Sequence, residues 1–385
     1  IGGTESYAAW LAHDQAKTRD VSVYARVAHA DRSHGEPIEY QDGGIRVRLV
    51  ANTFSARNPV VRHALHSRVL SDDFRRFLAE ARPGIVHVHH LSGHASSLMR
   101  IAAESGARIV YQSQDWWPAC ARTNLWHRDG VACDGPAPAK CHECLPLTRL
   151  PGAAQIGPAL HALRRTWIRG ALAHADAYVM GSRFMMETAR AWGFFEHGRP
   201  VHVLPYGVPV VPRRSGPRSG LRLPLQFGFL GAWMPHKGAH VAIEAFSEIS
   251  PVDAVLHVWG SSDDVAYAQR LRVFAADAPA VRLHRRLSGD DKLAWLQSLD
   301  ALVVPSVGWE SFGIVVREAF AAGVPVIASR LSALAELFED GRGGLYVPPD
   351  DPIALRAAIM RLVEDPALLP ALTRSVPSVE SSQAH

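Results

Sequence analysis

Lysine is nearly missing from this chain of 385 residues: of its 41 basic side chains only Lys17, Lys140, Lys237 and Lys292 are lysine, and the rest are arginine. Cysteine is almost as scarce. Cys120, Cys133, Cys141 and Cys144 are the whole complement, all in one stretch, which excludes a disulfide framework running through the molecule. Neither sign of charge dominates. With 37 acidic residues the net charge is +4, a mild excess that suits phosphorylated substrates or an anionic surface and forms no charged tail. No apolar run approaches the roughly 20 residues needed to span a bilayer, and no opening segment reads as a secretion signal. The expected compartment is therefore the cytoplasm, with the inner membrane face as a second possibility. Also lacking is a basic stripe interleaved with aromatics, so a nucleic-acid partner is not expected.

What is present is a globular composition, 48% hydrophobic and 20% charged, in a chain too long for one ordinary core. Short β-branched runs alternate with longer helical patterns throughout. Strands are expected at 21–24, 45–50, 85–88, 109–111, 177–180, 201–204, 226–230, 254–258, 281–284, 302–304 and 324–328. Amphipathic helices are expected at 5–13, 71–81, 160–174, 239–247 and 290–299, among others. Such alternation argues for parallel α/β sheets covered by helices. The stretch 205–220 is rich in Pro, Gly and Arg and has no periodicity, so it reads as a linker. The expected organisation is a first domain over 1–205, a linker over 206–222 and a second domain over 223–385. Ligands in such sheets bind at the carboxyl ends of the strands, and a cleft between the domains is the expected site.

The most informative segment is Pro305–Ser329. It reads as a strand end, a polar loop carrying Glu310, a helix carrying Glu318, and a further strand. Ser311, Phe312, Gly313 and Ile314 lie where a helix begins and offer backbone N–H groups suited to a phosphate or sugar oxygen. Lys237 follows the strand at 226–230 and precedes Gly238, a place where a cation would stabilise a departing diphosphate. Gly2 and Gly3 open the first helix and permit close approach of a ligand.

Gly2–Glu5, His87–His90, Ser182–Phe184, Pro205–Gly207, Phe229–Gly238 and Pro305–Ser329, in this order and spacing, resemble the family-four retaining glycosyltransferases (glycosyl transferases group 1) over nearly the whole chain. The resemblance implies the GT-B fold, two Rossmann-like doubly wound domains facing a cleft. It implies transfer of a hexose from a nucleoside-diphosphate sugar to an acceptor with retention, without a catalytic metal. Glu310 and Lys237 would be catalytic; Gly2, Gly3, Ser311, Phe312, Gly313, Ile314 and Glu318 would bind the donor, Glu318 through the ribose. His90, Gln114 and Asp115 would face the acceptor, whether a saccharide, a lipid-linked sugar or a small molecule. The family also implies a strand before Gly2 and a crossover helix after Ser381, both expected to be missing or short here. Two departures stand out: Ala232 replaces the usual Arg, and Gln114 replaces the usual His. They leave open a catalytically weak relative that binds nucleotide sugar. Another GT-B activity, such as an epimerase or a phosphorylase, is a further alternative.

The cysteines have two readings. Cys141 and Cys144 have the spacing of a zinc half-site that Cys120 and Cys133 would complete as a structural site; free buried thiols are the other. The histidines at 87, 89, 90 and 94 read as structural, because alternation sends His87 and His89 to one face and His90 to the other. The Arg- and Trp-bearing helix around 160–172 reads as an ordinary surface helix, with a peripheral membrane contact as the alternative.

Overall fold

The computed structural model describes residues 3–27, 32–53, 67–146, 153–195, 198–209, 211–213, 223–285, 287 and 289–381. The chain divides into two compact units, Ile1–Pro205 and Tyr206–His385.

The first unit runs α1 (Gly3–Ala16), β1 (Ser22–Val27), β2 (Pro37–Asp42), β3 (Ile45–Ala51), α2 (Arg68–Ala81), β4 (Ile85–Val88), α3 (Ser97–Glu104) and β5 (Arg108–Ser113). It continues with α4 (Pro138–Cys144), α5 (Ala153–Leu172), β6 (Ala177–Met180), α6 (Arg183–Ala191) and β7 (Val201–Val203). Strands β4, β5, β6 and β7 form a parallel sheet in that order, and β1, β3 and β2 form a second sheet. β2 runs antiparallel to β3, an exception to the expected parallel pairing. The two-residue loop between them is Gly43-Gly44, both at positive φ, the turn that a tight hairpin requires. Helix α2 starts where the Ser67 hydroxyl accepts from Leu70 N, and α6 where Ser182 accepts from Met185 N.

The second unit runs β8 (Leu225–Leu230), α7 (Ala239–Phe246), β9 (Ala254–Trp259), α8 (Val265–Ala276), β10 (Val281–His284), α9 (Gly289–Ser298), β11 (Ala301–Val304), α10 (Ile314–Ala321), β12 (Val326–Ser329), β13 (Gly344–Val347), α11 (Pro352–Glu364) and α12 (Leu368–Arg374). Among the described residues its strands make one parallel sheet in the order β10-β9-β8-β11-β12-β13. β11 and β12 are buried along their whole length, as the apolar runs Ala301–Val304 and 326–328 require of central parallel strands. Side chains of α7, α8 and α11 pack with one set of strand residues, and those of α9 and α10 with the other, so both faces of the sheet are covered.

Tyr206–Val208, which composition placed in a linker, pack on this second unit. Tyr206 is buried with its ring 4.4 Å from that of Phe312, and Val208 N donates to Glu380 O at 3.3 Å. The strands β2 and β13 were not expected from the sequence.

Candidate functional site

The strand order of the second unit puts the site at one place. Chain progression goes outward from β8 through β9 to β10, then returns to β11 on the other side of β8 and goes outward again. The loops leaving the carboxyl ends of β8 and β11 therefore diverge, which is the switch point where doubly wound sheets hold ligands. The loop after β8 carries Lys237 and the loop after β11 carries Glu310.

These two loops are clamped together by backbone. His236 O accepts from Val307 N at 2.9 Å and from Gly308 N at 3.0 Å. Gly238, at φ 72°, ends the short 3₁₀ turn Pro235–Lys237; a Cβ there would lie 1.8 Å from the Pro305 carbonyl oxygen. Only glycine fits that contact. The consequence is an ion pair in fixed register: Lys237 Nζ donates to both Glu310 carboxylate oxygens at 2.8 Å. The Ser306 hydroxyl donates to Glu310 Oε1 at 2.7 Å, and Glu310 N donates to the Ser332 hydroxyl at 2.9 Å. Burial works to push the Glu310 carboxyl up, but the charge and hydrogen bonds of Lys237, the Ser306 hydroxyl and nearby His236 outweigh it and hold the carboxyl below its ordinary value. An ammonium has three N–H groups, so two on Glu310 leave a third for a ligand oxygen.

Helix α10 begins right after this loop, capped by Gly313. Phe312 is buried against Tyr206, with the Arg317 guanidinium 5.6 Å from its ring, so it can offer a ligand only backbone. In the first turn of α10 the Val316 amide donates to Gly313 O at 3.0 Å, which leaves those of Ile314 and Val315 without an acceptor in the helix. Glu318 lies in the second turn of α10 and is nearly buried, 10% exposed at its side chain. Its partner was not foreseen: Lys292, on α9, donates to Glu318 Oε1. Here burial dominates and raises the Glu318 carboxyl, with Lys292 offsetting only part of the effect. The sequence signal for this pair was weak, an unremarked lysine in a chain with only four.

Other sequence expectations find their places. Ala232 is exposed, with no cation in its place. Gly3 is the exposed first residue of α1, while Gly2 lies outside the described residues.

On the first unit, His90 and Asp115 come together at the carboxyl ends of β4 and β5, with His90 Nε2 2.9 Å from Asp115 Oδ2. Ser92 N donates to His90 Nδ1 at 2.8 Å, which leaves Nε2 to carry the ring proton and donate it to Asp115. Asp115 Oδ1 accepts from Trp117 N at 2.8 Å. Gln114 does not join them in facing outward: it is buried, with its side-chain amide 3.0 Å from His89 Nδ1. His87 and His89 share a face, as alternation requires, with ring centroids 4.2 Å apart. Burial lowers both, His87 to about 4.

The four cysteines are free thiols lining one cavity with Trp126 and His161. Burial raises Cys120 and Cys141. As the side chains stand, no three His, Cys, Asp or Glu among the described residues are grouped to hold a metal ion. Two of the three arginines of helix α5 are tied to backbone carbonyls: Arg164 donates to Trp117 O at 2.6 Å, and Arg165 donates to Trp192 O. That removes much of the cationic face on which a membrane contact for this helix depended. Among the described residues no helix is long and apolar enough to cross a membrane.

Comparison with known proteins meets this geometry from outside. The family described as "Glycosyl transferase 4-like domain" matches residues 2–207, more than half of the chain. The chain belongs to that family of glycosyltransferases. The companion family, "Glycosyl transferases group 1", matches residues 224–365, the span that holds Lys237, Glu310 and Glu318. A phosphatidyl-myo-inositol mannosyltransferase of Mycobacterium leprae is 34% identical over 199 residues, 49% of this chain and 51% of its own length. A glycogen synthase of Mycobacterium tuberculosis is 32% identical over 165 residues, 41% of this chain and 37% of its own. The chain thus spans about half the length of the curated relatives it matches. Among solved structures, sucrose-phosphate synthase from Thermosynechococcus elongatus superposes with a TM-score of 0.71 at 18% identity, over 100% of this chain and 91% of that one. The Anabaena protein HepE, in complex with UDP and glucose, gives 0.64 at 16% identity, over 100% and 90%. These likenesses establish the GT-B fold.

Proposed function

We propose that this glycosyltransferase moves a hexose from a nucleoside-diphosphate sugar to an acceptor hydroxyl with retention of anomeric configuration. The observation that carries the reading is the Lys237–Glu310 pair at the β8/β11 switch point, beside the amino end of α10. Lys237 and the α10 amides would take the charge that grows on the departing diphosphate. Glu310 holds Lys237 and offers acceptor oxygens to hydroxyls of the transferred sugar. Glu318 accepts from the donor ribose. No second carboxylate is needed to form a covalent intermediate: the diphosphate leaves from the face on which the acceptor enters, and its oxygen takes the acceptor proton. His90 and Asp115 would hold an acceptor hydroxyl on the first unit.

Support for a nucleotide donor comes from the fold shared with HepE, which was solved with UDP and glucose. Thermal shift with UDP, GDP and ADP, and then with their sugars, tests the reading, since a ligand that binds the folded state raises its melting temperature. At least one nucleoside diphosphate is expected to stabilise the protein. No stabilisation by any of the three would overturn the proposal. A second reading, a binder that transfers slowly or not at all, is favoured by exposed Ala232 and inward-turned Gln114. Release of free or transferred sugar from a stabilising donor separates the two.

A further inference from the structure

We propose that Cys120, Cys133, Cys141 and Cys144 together hold a structural zinc ion, which fastens the turn after β5 and the hairpin beyond it to helix α4. The site belongs wholly to the first unit.

The backbone carries the cysteines to one cavity along three routes. Thr123 N donates to Cys120 O at 3.0 Å, closing a turn in which Thr123 and Leu125 take left-handed φ values of 68° and 50°. A β-branched threonine is rare in that region, and such strain persists only where the surroundings enforce it. Its result is that Leu125 serves two cysteines at once. The Leu125 amide, with that of Arg122, donates to the Cys120 sulfur, and the Leu125 carbonyl accepts from Cys133 N at 2.7 Å. Cys133 reaches that carbonyl because the chain doubles back: His127 N donates to Val131 O at 2.8 Å, and Trp126 is bridged antiparallel to Ala132. Cys141 and Cys144 come from α4, three positions apart and therefore on one face of the helix.

The surroundings match the charge of such a complex. Zinc(II) bound by four thiolates carries two net negative charges, and each thiol gives its proton to solvent as its sulfur joins the metal. Among the described residues that line the cavity none is acidic, while Arg122, Lys140 and Arg164 all line it. Arg122 Nη1 lies 3.9 Å from Cys144 Sγ. Burial raises Cys120 and Cys141, and the neighbouring thiols raise both further, so the cysteines are near enough to feel one another. As the side chains stand, no three of these sulfurs are grouped, and closure on a metal requires rotation about χ1 between staggered positions. Thiols that served only as small apolar fillers would need neither cations around them nor amides directed at sulfur.

Metal content and cobalt spectroscopy of the full chain test this site. Produced with zinc in the medium and purified without chelator, the protein is expected to carry about one zinc ion per molecule by elemental mass spectrometry. Exchange for cobalt(II) is expected to give an intense thiolate-to-cobalt charge-transfer band and the visible bands of tetrahedral coordination. Loss of an outer hydrogen-bond partner already costs metal sites about 10–100-fold in affinity. Removal of a ligand in Cys144→Ser is therefore expected to weaken zinc binding about 100-fold or more, read by competition with a colorimetric chelator. In the zinc-loaded wild type a thiol reagent is expected to find all the cysteines protected, and to modify them once a chelator has taken the metal. A wild-type chain that retains no zinc and gives no charge-transfer band with cobalt overturns the proposal. So does a Cys144→Ser variant that binds zinc as tightly as the wild type. Should that variant fail to fold, the wild-type cobalt spectrum decides by itself, and octahedral bands without thiolate charge transfer sink the site.

Discussion

The two units use polar residues in opposite ways. In the second, both acids of the Glu310–Glu318 segment are ionic partners of lysines, and the charges sit at the open ends of β8, β11 and their helices. In the first, the polar side chains of β4 and of the loop after β5 are turned mostly inward, with burial lowering His87 and His89 and the Gln114 amide meeting His89, while His90 and Asp115 form a half-exposed pair at the strand ends. The buried ion pair of this unit, Arg48–Asp73, joins β3 to α2 instead. The difference fits two kinds of ligand. A diphosphate carries charge that grows during reaction and calls for fixed cations, whereas an acceptor sugar presents hydroxyls that neutral donors and acceptors can sort.

The sharpest way to break that contrast is to remove the charge. Lys237→Ala is expected to lower kcat by about 10²–10³-fold, the scale of losing one preorganised charge-stabilising group. Turnover near the wild-type level in steady-state assays would mean that Lys237 only supports Glu310. Next in size is the clamp that sets the register of the pair. Gly238→Ala forces a Cβ onto the Pro305 carbonyl and is expected to cost about 2–4 kcal/mol of stability, read by urea unfolding, with activity falling alongside. A variant as stable as the wild type would show that the two loops are held by other contacts.

The smallest effect concerns pH. His87 and His94 are lowered from 6.5 to about 4, in both cases chiefly by burial, so in this range the unfolded chain binds more protons than the folded one. Their stabilising contribution is full above pH 6.5 and is lost as pH falls toward 4. Glu310, held below 4.5, loses its contribution only as pH falls beneath that value. His240, His257 and His284 of the second unit move in the same direction as His87 but by less. Hydrogen exchange between pH 7 and pH 5 is therefore expected to show protection falling more in Ile1–Pro205 than in Tyr206–His385. Equal or reversed losses would contradict the burial of His87 and His94 as the cause.

Much of this was legible in the sequence where local pattern and structure agree. β11 and all but the last residue of β12 are continuous apolar runs, and a buried central strand has no other way to be written. Lys237 and Glu310 were legible because each lies in the loop that follows a central strand, β8 or β11. β2 was missed although Asp42-Gly43-Gly44-Ile45 is a hairpin signal, because the strand itself, Pro37–Asp42, is mostly exposed and carries little apolar pattern. The Lys292–Glu318 pair was not legible, since the two residues are 26 apart and meet only through the packing of α9 beside α10. For the same reason Gln114 was read as facing a substrate: side-chain direction at the end of a strand depends on which neighbour, here His89, has an atom to offer. Arg164 was read as surface charge because an arginine buried on backbone carbonyls looks, in sequence, like any other arginine.

The shortage of lysine acquires a chemical meaning once the structure is known. Arginine stays protonated and inert to most acylating and Schiff-base-forming reagents, while a lysine amine reacts whenever it gives up its proton. Of the four side-chain amines in the chain, two are bound to the motif acids, Lys237 to Glu310 and Lys292 to Glu318. An amine-directed electrophile thus has few decoys on this protein, and half of its side-chain targets lie where the sugar donor is proposed to bind.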